Sequence, residues 1–210
     1  MTHALQESLL DASSDEVRLG RLGSTVRRAG LSRGAWTDLR PGWISGADVL
    51  FRRLVDLVPW QAEQRQMYDR TVAVPRLLCF YDEDESLPDP ALEQMRTALN
   101  RHYAAELGEP FRTAGLCLYR DGADSVAWHG DRIGRGNTED TMVAIISLGT
   151  PRNFLLRPRG GGHALRHRLG HGDLIVMGGS AQRTWEHAIP KTAHRVGPRI
   201  SVQFRPRGVR

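Results

Sequence analysis

The sequence predicts a mostly β protein with flanking helices (α+β), its strands closing into a sandwich or barrel of which the jelly roll is one form. Three observations carry that class. After Phe111 the chain breaks into about eight short apolar-rich segments, separated by glycines and charged turns. Two stretches in the first half, 46–60 and 89–107, instead space their apolar residues helically. The 210 residues, 40% hydrophobic and 25% charged, suffice for one domain with a sizeable core.

Residues 1–35, rich in Ser, Gly, Arg and Asp, lack periodicity and read as an N-terminal arm, partly flexible, ahead of a folded domain over 36–210. In "GADVLFRRLVDLVPW" (46–60), Val49, Leu50, Leu54, Leu57 and Val58 recur at helical spacing, and Pro59 stops the run. In "DPALEQMRTALNRHYAAEL" (89–107), Asp89 precedes Pro90 at the first turn, and Leu92, Met95, Leu99 and Tyr103 form one face. The expected strands are 115–120, 125–129, 141–149, 152–158, 164–169, 173–179, 184–190 and 199–205. No internal repeat or heptad pattern interrupts them.

No apolar run reaches membrane-span length; the strongest is "MVAIISLG" (142–149). The first residues carry acids and no basic region ahead of an apolar stretch, so a secretory leader is not expected. Cys79 and Cys117 give no disulfide framework, and a reducing cytoplasm is the expected location. Charge is unevenly placed. Residues 1–110 hold 13 Arg against 17 acids, net −4; residues 111–210 hold 15 Arg and one Lys against 7 acids, net +9. A basic half suits a polyanion, because neutralising phosphates releases counterions. Lys191 is the only lysine, so a general preference for arginine competes with that reading.

Chemistry concentrates around "VAWHGDRIGR" (126–135). Residues two apart on a strand share a face, so His129 and Asp131 can aim at one point if the strand continues through Gly130. A third ligand must come from downstream, where His163, His167, His171, His187 and His194 lie. Glycines in "HRLGHGDL" argue against a helical pair of His167 and His171, whereas His187 sits in the strand-like "TWEHAIP". Two histidines and a carboxylate on one side of an iron leave positions open for a cosubstrate and oxygen. In "RISVQFR", Arg199, Ser201, Gln203 and Arg205 alternate with Ile200, Val202 and Phe204. If that polar face lines a barrel, the buried guanidinium of Arg199 requires an anion, and a bidentate carboxylate meets the need.

In their order, "LYRDGADSVAWHGD", "ISLGTPRNFLLRP", "HGDLIVMGGSAQRTWEHAIP" and "RISVQFR" resemble the AlkB-type iron(II)- and 2-oxoglutarate-dependent dioxygenases over roughly residues 60–205. The resemblance implies a double-stranded β-helix (jelly-roll) core. It matches His129, Asp131 and His187 to the iron ligands, Arg199 to the arginine holding the distal carboxylate of 2-oxoglutarate, and Arg205 to the second arginine of the closing motif. Tyr119 matches a tyrosine that hydrogen-bonds the cosubstrate, and Ser201 stands where many members have asparagine. Two further positions depart from the pattern: Cys117 replaces an asparagine, and Ile133 replaces an acid that in some members contacts the target base.

The segment 60–85 resembles that family's nucleotide-recognition lid, with Arg76, Phe80 and Tyr81 as substrate contacts; core residues beneath a loop are the competing reading. Trp185, two before His187, is expected to wall the site, with an ordinary packed tryptophan as the competing reading, and Arg157 to touch phosphate, which a solvated loop explains equally well. The implied reaction uses Fe(II), 2-oxoglutarate and O2 to oxidise an N-methyl group on a base. It releases formaldehyde, succinate and CO2, with single-stranded or alkylation-damaged DNA, or RNA, as substrate and the enzyme acting as a monomer off the membrane. A zinc deaminase is excluded, since its Pro-Cys-x-x-Cys run is absent. The rivals are the same oxygenase chemistry on a non-nucleic-acid substrate, and a non-catalytic jelly-roll binding module.

Overall fold

A computed structural model describes residues 16–67, 70–131 and 134–209. Its first elements are β1 (Arg18–Leu19), β2 (Arg27–Gly30), a 3₁₀ turn (Ser32–Gly34), β3 (Ala35–Arg40), β4 (Ile44–Ser45) and α1 (Ala47–Leu57). The hairpin β5 (Gln61–Met67) and β6 (Arg70–Tyr81) follows, then α2 (Pro90–His102) and α3 (Ala104–Leu107). Next come β7 (Thr113–Tyr119), β8 (Val126–His129), a 3₁₀ turn (Arg135–Asn137), β9 (Val143–Gly149), β10 (Arg152–Pro158) and β11 (Leu165–Leu169). The chain closes with β12 (Asp173–Gly179), α4 (Ala181–Thr184), β13 (Trp185–Ile189) and β14 (Arg199–Arg205).

Eight strands form a major sheet in the order β2-β3-β12-β9-β14-β7-β6-β5, four form a minor sheet in the order β11-β10-β13-β8, and β1 pairs with β4. The period of two along each major strand builds two cores. On β9, Ala144, Ile146 and Leu148 turn to the helices, joining Leu50 and Leu54 of α1 and Leu92, Met95 and Leu99 of α2. Val143 and Ile145 turn the other way, joining Phe154, Leu156 and Ile189 of the minor sheet. A strand covered on both faces reads as an unbroken apolar run, hence "MVAIISLG". The layers are therefore helices, major sheet and minor sheet, the arrangement of a jelly roll.

Each of the eight expected strands is present. The segment 184–190 differs at its start, where α4 precedes a strand beginning at Trp185. The helix expected over 89–107 is begun by Asp89, whose side chain accepts from the Ala91 amide at 2.8 Å. It breaks at Tyr103, whose hydroxyl donates to the buried Asp38 carboxylate at 2.9 Å.

Residues 18–35 are not the arm their composition suggests. β2 pairs with β3, although all four of its residues are exposed, because charge holds it there. The Arg28 guanidinium forks onto Asp38 with two 2.8 Å bonds, also binds Glu106, and lies 3.9 Å from the Trp36 ring centroid. Such a strand carries no apolar alternation to read. Residues 1–15 lie outside the described residues. The segment 60–85 contains the β5–β6 hairpin; β6 pairs with β7 only through Leu77–Tyr81, and ahead of that it pairs with β5 and accepts from the Ser125 amide at the Pro75 carbonyl, 2.8 Å. Among the described residues no helix is long and apolar enough to cross a membrane.

Tyr103→Phe removes one donor from Asp38 while Arg28 remains. It should cost about 1–2 kcal/mol of folding free energy, read as a lowered urea midpoint with unchanged slope.

Candidate metal centre

The centre follows from one register. β13 pairs antiparallel with β8, and His187 lies directly opposite His129. Opposed residues on neighbouring strands share a face with Cβ atoms about 4.5–5.5 Å apart, and the two imidazole centroids stand 4.2 Å apart. Asp131, just past the end of β8, places Oδ1 3.7 Å from His129 Nε2. One ligand atom from each of the three lies within 4.8 Å of the others.

Neighbouring groups fix the protonation each ligand needs. His129 Nδ1 stands 2.9 Å from the Ala127 carbonyl. A carbonyl only accepts, so Nδ1 carries a proton there and Nε2 is the nitrogen left to face Asp131 and ligate a metal. His187 is 6% exposed; burial, then the His129 ring, pushes its pKa down to about 3, so the imidazole is neutral. Phe154 stacks on it with centroids 5.3 Å apart. Burial is the largest influence and opposes the charge on Asp131, but Arg205 and the two neighbouring imidazoles together outweigh it and hold the carboxyl well below the usual range. Arg205 Nε donates to Asp131 Oδ2 at 2.7 Å. Two imidazole nitrogens and one ionised carboxylate form a donor set that suits iron(II) and leaves coordination positions open.

From the centre a polar row runs along β14. Arg205 Nη2 donates to Gln203 Oε1 at 2.7 Å, and Gln203 Nε2 donates to Ser201 Oγ at 3.1 Å and lies 3.3 Å from Cys117 Sγ. At its far end Arg199 is 1% exposed. Its Nε donates to Ser147 Oγ at 2.9 Å, while Nη1 is buried without a partner. Burial lowers the Arg199 pKa from its ordinary value, yet a guanidinium stays charged at neutral pH. Its carbon lies 5.2 Å from the ring centroid of Tyr119, whose hydroxyl burial pushes up to about 12, keeping it a donor. A buried cation with an unused N–H is the partner a carboxylate requires.

These residues line one cavity of about 580 Å³ with Arg76, Leu78 and Phe80 of the hairpin. Of the residues expected here, the structure brings together His129, Asp131, His187, Tyr119, Arg199, Ser201, Arg205, Arg76 and Phe80. Three are elsewhere. Tyr81, next to Phe80 on a strand, faces the other way and packs on the helix-side core. Trp185 is buried in the core between the sheets, and its indole donates to the Ser32 carbonyl at 3.2 Å. Arg157 is paired with Glu186 at 3.1 Å and stacks 4.1 Å from the Trp128 ring centroid, away from the cavity lining. Ile133 lies outside the described residues. Sequence reasoning missed Phe154, whose stack needs the fold, and Gln182, which binds the Asp131 amide.

This geometry agrees with comparison to known proteins. The chain belongs to the 2OG-Fe(II) oxygenase superfamily, whose family model matches residues 45–205. Its relatives are of the AlkB family. It is 30% identical to alpha-ketoglutarate-dependent dioxygenase alkB homolog 3 of Homo sapiens, covering 81% of this chain and 67% of that protein. It is 26% identical to DNA oxidative demethylase ALKBH2 of Arabidopsis thaliana, covering 70% of this chain and 58% of that one. Among solved structures, OsALKBH1 superposes with a TM-score of 0.58 at 16% identity, covering 84% of this chain and 100% of that one. A Trichoplax adhaerens prolyl hydroxylase reaches 0.59 at 8% identity, covering 81% and 82%. Both share the fold, the double-stranded β-helix of these oxygenases. Iron(II) and 2-oxoglutarate are thus the cofactors of this enzyme.

Arg205→Met would strand the Asp131 carboxylate, and breaking such a buried pair costs about 3–5 kcal/mol at neutral pH. In the native metal-free protein the depressed carboxyl contributes stability above the ordinary carboxylate range, lost as pH falls. In the variant only the neighbouring imidazoles still oppose burial, so the carboxyl rises and this loss of stability on acidification should shrink. Urea unfolding of both metal-free proteins between about pH 3 and 8 checks this change.

Proposed function

We propose that the enzyme oxidatively demethylates N-alkylated bases in nucleic acid, with single-stranded or alkylation-damaged DNA as its substrate. The observation that carries this reading is the cavity itself. It joins the triad to the β5–β6 hairpin, whose Phe80 remains 38% exposed at the lining. A base swung out of its stack needs such a site, with an aromatic face to receive it and apolar walls to exclude water. The relatives named DNA oxidative demethylase support the same substrate class, as does the basic second half of the chain.

Iron with 2-oxoglutarate and O2 supplies the oxidation of a C–H bond, 2-oxoglutarate leaving as succinate and CO2. The chain's own residues do the rest. Arg199, helped by the Tyr119 hydroxyl, holds the distal carboxylate through the Nη1 that lacks a partner. His129, Asp131 and His187 would hold the metal, and three protein ligands would leave it able to take up cosubstrate and oxygen. Leu78, Ile145, Phe154 and Ile189 keep the reacting methyl group dry. Phe80 stacks on the base, and Arg76, which already donates to the Ser125 carbonyl at 3.1 Å, stands beside it with a buried unused Nε. The hydroxymethyl base then expels formaldehyde.

The test is mass spectrometry of a single-stranded oligonucleotide carrying one 1-methyladenine, incubated with protein, iron(II), 2-oxoglutarate and ascorbate in air. Loss of one methyl group that requires 2-oxoglutarate is expected. Succinate without demethylation would keep the oxygenase and overturn the substrate. Phe80→Ala should lower kcat/KM for the oligonucleotide by about 5- to 100-fold, the worth of one stacked base, with succinate formed in its absence unchanged. Arg199→Met should raise KM for 2-oxoglutarate by about 10- to 100-fold, the loss of a charge-assisted bond.

A further inference from the structure

The three ligands are not held equally. His129 and His187 project from paired strands, whereas Asp131 lies beyond the end of β8, where the ladder no longer fixes the backbone. Two features replace the ladder. The Asp131 amide donates at 3.0 Å to Oε1 of Gln182, a residue of α4 that is 1% exposed. On the carbonyl side of the same residue, a Cβ on Gly136 would stand 2.0 Å from the Asp131 carbonyl oxygen, so that approach exists only because residue 136 has no side chain.

Gln182 is well placed for such a task. Its turn is seated by Ser180, whose hydroxyl donates to the Arg33 carbonyl at 2.6 Å and lies 2.9 Å from Thr184 Oγ1. The turn leads directly into β13, five residues before His187. One short element thus touches the backbone of one ligand and sets the entry of another. Its orientation is assigned by chemistry, since an amide N–H requires an oxygen. That leaves Nε2 buried without a partner, so a donor is sacrificed for the contact.

We propose that Gln182 is a positioning residue for the metal centre: by accepting the Asp131 amide it holds the carboxylate in its ligating orientation against Arg205. Removing an outer partner of a metal ligand typically costs 10–100-fold in affinity. The inference rests on the His129/Asp131/His187 assignment, which the first arm of the experiment tests separately.

The experiment titrates the metal-free protein with Co(II) without 2-oxoglutarate, reading the visible d–d absorption, the dissociation constant and the melting temperature of the metal-free form. Wild type is expected to bind one Co(II) and His187→Ala to lose it; equal binding by the two would sink the ligand assignment itself. Gln182→Met keeps the volume and removes the acceptor. It should weaken Co(II) binding by about 10–100-fold and alter the d–d band, with little change in melting temperature. Gln182→Asn, too short to reach, should behave alike and stands in if the methionine variant does not fold. Gln182→Glu keeps an acceptor and should restore the wild-type band with affinity within about threefold. Wild-type affinity in the methionine or asparagine variant would overturn the proposal, as would equal impairment in the glutamate variant.

Discussion

Everything in the site depends on β14 being polar on a face that is largely buried between the sheets. The strand lies between β9 and β7 inside the major sheet, with Ile200, Val202 and Phe204 sealed against the helices. Arg199, Ser201, Gln203 and Arg205 are thereby forced into the space between the sheets. Burying a charge costs several kcal/mol unless it is paired and hydrogen-bonded. Arg205 meets that demand with Asp131 and Gln203, and Gln203 passes its remaining hydrogens to Ser201. The position of the carboxylate is thus dictated from across the barrel as much as by its own strand.

The two arginines of that row differ in what they still need. Arg205 is satisfied within the chain, and its charge keeps Asp131 ionised. Arg199 has one neutral partner, Ser147, and one empty donor. With His187 held neutral, a divalent metal enters without displacing protons from either group, and the usual competition between proton and metal is relieved. Pairing one guanidinium while leaving the other hungry makes a single face of one strand serve both metal and carboxylate.

Much of this was legible in the chain. Period-two alternation revealed the strands and the polar face of β14, because that face is defined by local spacing. The third ligand was not local. Five downstream histidines competed; the family resemblance picked His187, and the pairing of β13 with β8, which sets residue 187 against residue 129, gives the physical reason. Spacing also misled at Trp185. It shares parity with His187, but it begins its strand, and its indole turns out to the Ser32 carbonyl. Phe80 and Tyr81 were indistinguishable as neighbouring aromatics until their strand put them on opposite faces. Gln182 was unreadable, since its worth lies in a backbone amide 51 residues away.

The polar N-terminal segment shows why composition understated the folded part. Nothing between residues 18 and 35 enters the cavity, yet the turn at 32–34 supplies both carbonyls that seat α4, from Ser32 to Trp185 and from Arg33 to Ser180. Gly179, at the end of β12, has φ +64°, and a Cβ there would stand 2.2 Å from the Gly34 carbonyl oxygen. That contact admits no other residue without moving the turn. β2, held by the Arg28 fork on Asp38, in turn braces β3 against the sheet. The order of dependence therefore runs from a half-buried ion pair through a backbone contact and a one-turn helix to the ligand strand. A segment with no catalytic side chain fixes where His187 enters the site.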